Sequence, residues 1–247
     1  MIAALALVAA AAAVLLPGTY TNEEQVYFAR DAGTLPLPWV GLKISVVPEG
    51  YRLQTVDAFG AAKTDDQVMH VSESDAITTI TTITTITTGS CVRGFARVPA
   101  GLTAVDQRGQ CSGPPALMTV TGKGLALKMA DGSLLEMQRA RPWKCWVSIP
   151  KAIKKPDGST DWWFKPGLLL HDAGGRLRAA TDEATPQTFT LRMRNVAWPS
   201  GPNQPSLVLY VHADDPDHAI SYSWADPGAK RVGINLRSVQ ASCSLVG

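Results

Sequence analysis

The sequence predicts a mainly β protein, a single antiparallel barrel or sandwich with one short N-terminal helix. Three observations predict it. Ten or more short segments rich in Val, Ile, Thr and aromatic residues recur along the chain, divided by turn signals. Helical patterns do not alternate with them, which excludes a doubly wound parallel sheet. The composition supports a core: 45% of the 247 residues are hydrophobic and 18% are charged, unlike a disordered chain. The net charge of +2 excludes recognition of nucleic acid by bulk positive charge, so no nucleic-acid partner is expected.

The elements follow in order. Met1 to Leu16 is apolar throughout, and Pro17-Gly18 ends the run. That length suits the core of a signal peptide better than a membrane helix, which needs about 20 residues. Ala11 and Ala13 fit the small-residue cleavage rule, so cleavage after Ala13 is expected. No Lys or Arg precedes the run. Residues 1–17 are therefore read as a signal peptide and 18–247 as one β-rich domain. The expected location is outside the cytoplasm, periplasmic in a Gram-negative cell and secreted otherwise. No transmembrane span is expected in the mature chain.

Thr21-Asn22-Glu23-Glu24 reads as a capping box, with Thr21 as N-cap. Gly33 is a natural helix stop. Val26, Ala29 and Tyr27 are the inward candidates. Trp39 to Val47 and Tyr51 to Val56 then flank a Pro48-Glu49-Gly50 turn. Leu125 to Met129 and Leu134 to Gln138 flank Asp131-Gly132, a strong hairpin signal. Trp143 to Ile149 and Trp162 to Phe164 flank a Lys-rich connection with Asp157-Gly158. Gly167 to His171 and Arg176 to Arg178 flank Ala173-Gly174-Gly175, read as a hairpin turn. Phe189 to Val196 alternates as a half-buried strand. Ser206 to Ala213 and Ala219 to Ala225 flank an acidic turn, and Gly233 to Val239 is the last clear strand. Ile77 to Thr88 repeats Ile-Thr-Thr four times. Its period of three matches no single face, and its composition favours a strand or an extended surface loop.

The cysteines are Cys91, Cys111, Cys145 and Cys243. No C-x-x-C spacing occurs, which disfavours zinc ribbons and thioredoxin-type chemistry. An even number in an exported chain suggests two disulfides. Three pairings exist and the sequence does not choose among them. The one expected is Cys91–Cys111 across a hairpin, with Cys145–Cys243 tying the last strand to the middle.

Trp143, Trp146, Trp162 and Trp163 are the candidate ligand-binding residues. Neighbours on a strand face opposite sides, so these indoles cannot all enter one core. Those left over suit an apolar, planar or anionic ligand, together with nearby lysines. His212, Asp214, Asp217 and His218 are weak candidates for a metal, since imidazoles and carboxylates are competent ligands. An acidic turn at a hairpin tip explains them without one. His171-Asp172 reads as part of a turn rather than a general base, because adjacent strand residues diverge. No nucleophile elbow, H-E-x-x-H, S-x-x-K or phosphate loop occurs. No catalytic residue and no cofactor are assigned, and the chain reads more readily as a non-enzyme.

Gly18-Thr19-Tyr20-Thr21-Asn22-Glu23-Glu24-Gln25 resembles the opening of the CpcT/CpeT chromophore-lyase family. There a Gly-x-aromatic-x-Asn-x-x-Gln start precedes a calycin-type barrel. Arg139 to Cys145 and Leu168 to Gly175 resemble that family more loosely. The resemblance implies a calycin or lipocalin-like barrel and, as one functional alternative, a chromophore lyase. It assigns no catalytic residue here.

Three functions follow as expectations. The first is an exported, non-enzymatic protein that binds a small, partly apolar ligand in a barrel calyx. The second is a structural or interaction module of the cell envelope, with carbohydrate among its partners. The third is the lyase. The expected partner is thus a small molecule or an envelope component.

Overall fold

The fold is given by a computed structural model, which describes residues 17–48, 50–63, 67–74, 77–84, 90–98, 101–109, 117–120, 124–128, 132–215 and 218–247. The expected signal peptide lies almost wholly outside them. Among the described residues the protein is mainly β, with eighteen strands and one helix, and every strand pairing is antiparallel. It forms both a barrel and a sandwich. The chain divides into two compact units, Met1–Asp57 with Ala61–Ala140, and Ala58–Gly60 with Arg141–Gly247. No Pro-, Gly- or Ser-rich stretch marks the passage through Ala140 and Arg141, so the sequence shows no linker there.

In the first unit, ten strands pair in a ring. They are β1 (Gly18–Thr21), β2 (Gly41–Val47), β3 (Gly50–Val56), β4 (Gln67–Ser74), β5 (Ile77–Thr84), β6 (Ser90–Val98), β7 (Gly101–Gly109), β8 (Leu117–Val120), β9 (Gly124–Lys128) and β10 (Leu134–Arg139). Successive strands pair from β2 to β10, and β1 closes the ring by pairing with both β2 and β10. The expected β9–β10 hairpin pairing is present, with Gly132 at φ 86°, and Asp131 lies outside the described residues. The first eight residues of the Ile-Thr-Thr tract form β5, paired with β4 and β6. Alternate residues of β9 and β10 turn inward: Leu125, Leu127, Leu135 and Met137 pack with Tyr20, Ile44 and Tyr51. Burial raises the Tyr20 hydroxyl above its ordinary pKa, against an opposing pull from Arg139.

Helix α1 (Glu23–Asp31) stops as expected, with Gly33 at φ 68° and its N–H donating to Arg30. Its start differs from the expected capping box. Asn22 is the N-cap and makes no side-chain cap bond. Its amide instead bridges to Pro38 O and to the N–H of Val40, at 2.9 and 2.7 Å. Thr21 belongs to β1, and its hydroxyl accepts a long hydrogen bond from Glu23 N, at 3.4 Å. Buried Glu23 accepts a 2.7 Å hydrogen bond from the Trp39 indole. The polar start of the helix therefore anchors the segment that leads into β2.

The second unit is a two-layer sandwich. One sheet runs in the order β12-β11-β18-β17, from β11 (Pro142–Pro150), β12 (Trp162–His171), β17 (Arg231–Asn235) and β18 (Gln240–Leu245). The other runs β13-β14-β15-β16, from β13 (Ala173–Ala180), β14 (Thr188–Val196), β15 (Ser206–His212) and β16 (Ser221–Ala225). The facing sides share one core, including Trp143, Val147, Ile149, Leu191, Met193, Leu209, Val211 and Val232.

Two expectations are corrected here. The predicted Ala173–Gly175 hairpin is a corner where the chain changes sheets. Asp172 makes the turn, β12 stays in one sheet and β13 starts the other. A side chain at Gly175 would collide with His171 O at 2.6 Å, so the glycines permit a tight corner. The predicted last strand, Gly233 to Val239, is broken by a turn in which Leu236 N–H donates to Val239 O. β17 and β18 lie on either side of it.

Candidate functional site

Strand alternation separates the four tryptophans in pairs. Trp143 is fully buried in the sandwich core, and Trp163 packs against that core. Trp146 and Trp162 lie on the opposite, outward side of the same sheet. All four belong to the sandwich unit and none to the ring of strands.

The outward side has a readable grid. β11 places Lys144, Trp146 and Ser148 there, because Cys145, Val147 and Ile149 face the core. One row across the sheet is Phe164–Ser148–Gln240–Asn235. The next is Trp146–Ser242–Gly233. The third is Leu169–Lys144–Ser244–Arg231. Trp162 continues the β12 edge opposite Pro150. The Phe164 and Trp146 rings approach to 5.9 Å with planes at 41°. Trp162, Phe164 and Leu169 are 40, 57 and 73% exposed. One half of the face is thus aromatic and apolar. The other half carries hydroxyl and amide groups on β18 and β17. Arg231 Nε donates to Ser242 Oγ at 3.0 Å, beside the position of Trp146.

Sequence reasoning missed Phe164, although it stands two residues after Trp162 and so shares its face. Arg231, Ser242, Gln240 and Asn235 carried no local signal, since only the pairing of β18 with β11 brings them to the tryptophans.

Adjacent contacts are structural. The β11–β12 loop closes on Asp157, whose carboxylate accepts from the Ser159 hydroxyl and N–H and is held below its ordinary pKa by them. Lys151 reaches Asp182 and Asp161 at 3.0 and 3.4 Å. Cys145 and Cys243 are cross-strand partners joined by a disulfide, as expected. Cys91 lies on β6, and Cys111 is outside the described residues.

The weak metal candidates do not gather. His212 is buried at 2% exposure on β15. His218 is exposed and pairs with Asp215 at 2.6 Å, and Asp217 is outside the described residues. Among the described residues no group of three or more His, Cys, Asp or Glu is placed to hold a metal. Neither His212 ring nitrogen makes a hydrogen bond. Burial holds its pKa below the ordinary value, assisted by Arg192 and Arg176; the main chain at Asp215 and His218 pulls more weakly the other way. No helix among the described residues is long and apolar enough to cross a membrane.

No protein-family model, curated protein or solved structure matches the chain.

Proposed function

We propose that the chain is an exported, non-enzymatic binding module of the cell envelope, and that its sandwich unit holds a carbohydrate on the outward face of the β12-β11-β18-β17 sheet. The observation that carries the reading is the pairing of half-buried Trp146 with exposed Phe164, with Trp162 beyond it and Gln240 and Asn235 alongside. Aromatic faces receive the apolar face of a sugar ring, and amides and hydroxyls serve its hydroxyl groups. Monomers seldom leave such contiguous apolar surface open without a use for it. The Cys145–Cys243 disulfide supports an oxidising compartment.

The test is co-sedimentation of the full chain with envelope polysaccharides. Retention that is lost in Trp146→Ala and Phe164→Ala, at unchanged melting temperature, supports the reading. Retention indifferent to both changes sinks it.

A second reading has its own observation. The ring of ten strands gathers Tyr20, Ile44, Leu125, Leu127, Leu135 and Met137 into one apolar cluster. That favours a calyx for a small, partly apolar ligand in the first unit, without the tryptophans. A mass difference between native and denatured protein from its host would support it; equal masses would count against it.

A further inference from the structure

We infer that the carbohydrate is acidic, a polymer bearing uronate carboxylates. The inference rests on the sugar-binding reading of the β12-β11-β18-β17 face. Charge is segregated in the sandwich unit. None of its eight strands contains Asp or Glu. All of its carboxylates stand in the connections between strands.

The open face carries two cations beside one indole. Lys144 lies two residues before Trp146 on β11 and therefore on the same side. Arg231 lies two strands away in the row of Lys144, about 10 Å by strand spacing. Its Nε is held by the hydroxyl of Ser242, the cross-strand partner of Trp146. Among the described residues no carboxylate pairs with Lys144 or Arg231.

A neutral sugar needs stacking and hydrogen bonds, and two cations add nothing to either. A sugar carboxylate lying over the Trp146 row meets both charges. The two terminal amino groups of Arg231 match the two oxygens of such a group. A nucleic-acid backbone would need a longer track of cations along its phosphates. The hydroxyl- and amide-bearing half of the face suits a polyol.

The test uses the full chain, a polyuronate, and the same polymer fully methyl-esterified, which keeps the backbone and removes the charge. Single-stranded oligothymidine is the third probe. Affinity for the polyuronate should exceed that for the ester by about tenfold and fall as salt rises. Arg231→Gln and Lys144→Gln should each weaken polyuronate binding by about fivefold to tenfold and leave the ester unchanged. Trp146→Ala should weaken both polymers. Equal affinity for polyuronate and ester, with both charge variants silent, overturns the acidic ligand and leaves the sugar-binding reading standing. Failure to bind either polymer overturns both, as does tighter binding of oligothymidine with Trp146→Ala silent. Unchanged melting temperatures confirm that each variant is folded.

Discussion

Arg141 and Asp172 are joined at two points across the corner between the sheets. Both the Nε and the backbone N–H of Arg141 donate to the Asp172 carboxylate, at 2.5 and 2.7 Å. Asp172 is only 2% exposed. Its main chain also receives Asn195 N–H at 2.6 Å and donates to Arg141 O. A buried carboxylate that loses its cation is left uncompensated.

Arg141→Ala should therefore destabilise the sandwich by about 3 kcal/mol, read as a lower urea midpoint for its transition. The partly exposed Lys151–Asp182 pair is the control. Solvent screens such pairs, so Lys151→Ala should leave the midpoint where it is. Equal effects of the two changes would refute the ranking.

The tryptophans should divide by face. Trp143→Ala empties a fully buried site and should cost about 3–5 kcal/mol. Trp146→Ala and Phe164→Ala remove partly solvated rings and should shift stability by less than about 1.5 kcal/mol, because less area leaves water. Calorimetry of the three variants checks this. A large loss in Trp146→Ala would mean that its indole is a packing element.

His212 should make stability depend on pH. Its folded pKa lies below the unfolded value, so the unfolded chain binds its proton first. The contribution is complete above about pH 6.5, the unfolded value, and falls away as pH drops through the folded value. Replacing His212 with Gln should flatten that part of the stability profile between about pH 7 and 5. A wild-type profile unchanged by the substitution would refute the assignment.

The Cys145–Cys243 disulfide spans 98 residues. A loop that long restricts the unfolded chain strongly, by about 4–5 kcal/mol at most on the entropic account. The double change to Ala should lower stability by about 2–4 kcal/mol. Both sulfurs are buried in the sandwich core, so the intact protein should resist mild reductant and the disulfide should open only with unfolding. Reduction of the native fold by dilute thiol, followed by mass, would disprove that.

Much of the β organisation was legible locally. The β9–β10 hairpin follows from Asp131-Gly132 between alternating apolar residues, and the separation of Trp143 from Trp146 follows from the two-residue period of a strand. β1 was missed because four residues beside a helix cap carry little periodicity, and their partners lie across the helix on β2 and more than a hundred residues away on β10. The corner at Asp172 was misread because a glycine pair marks a tight bend without saying whether the chain returns to the same sheet. The candidate face was half legible. Its aromatic side lies within β11 and β12, whereas Arg231 and Ser242 join it only through a pairing that no local pattern encodes.

The position of β18 also dictates an order of events on a growing chain. It lies between β11 and β17 and supplies Ala241 and Cys243 to the core. The inner sheet edge of β11 therefore stays without its neighbour until residues 240–245 emerge. The ring in the first unit can complete once residues 138–139 have met β1. The sandwich must wait about a hundred residues longer, a non-local closure of the kind that folds slowly. Through that interval β11 keeps an open edge and a free thiol at Cys145. Until that strand arrives, the half-built sheet offers β11 to any other free strand edge, and its cysteine to any other thiol.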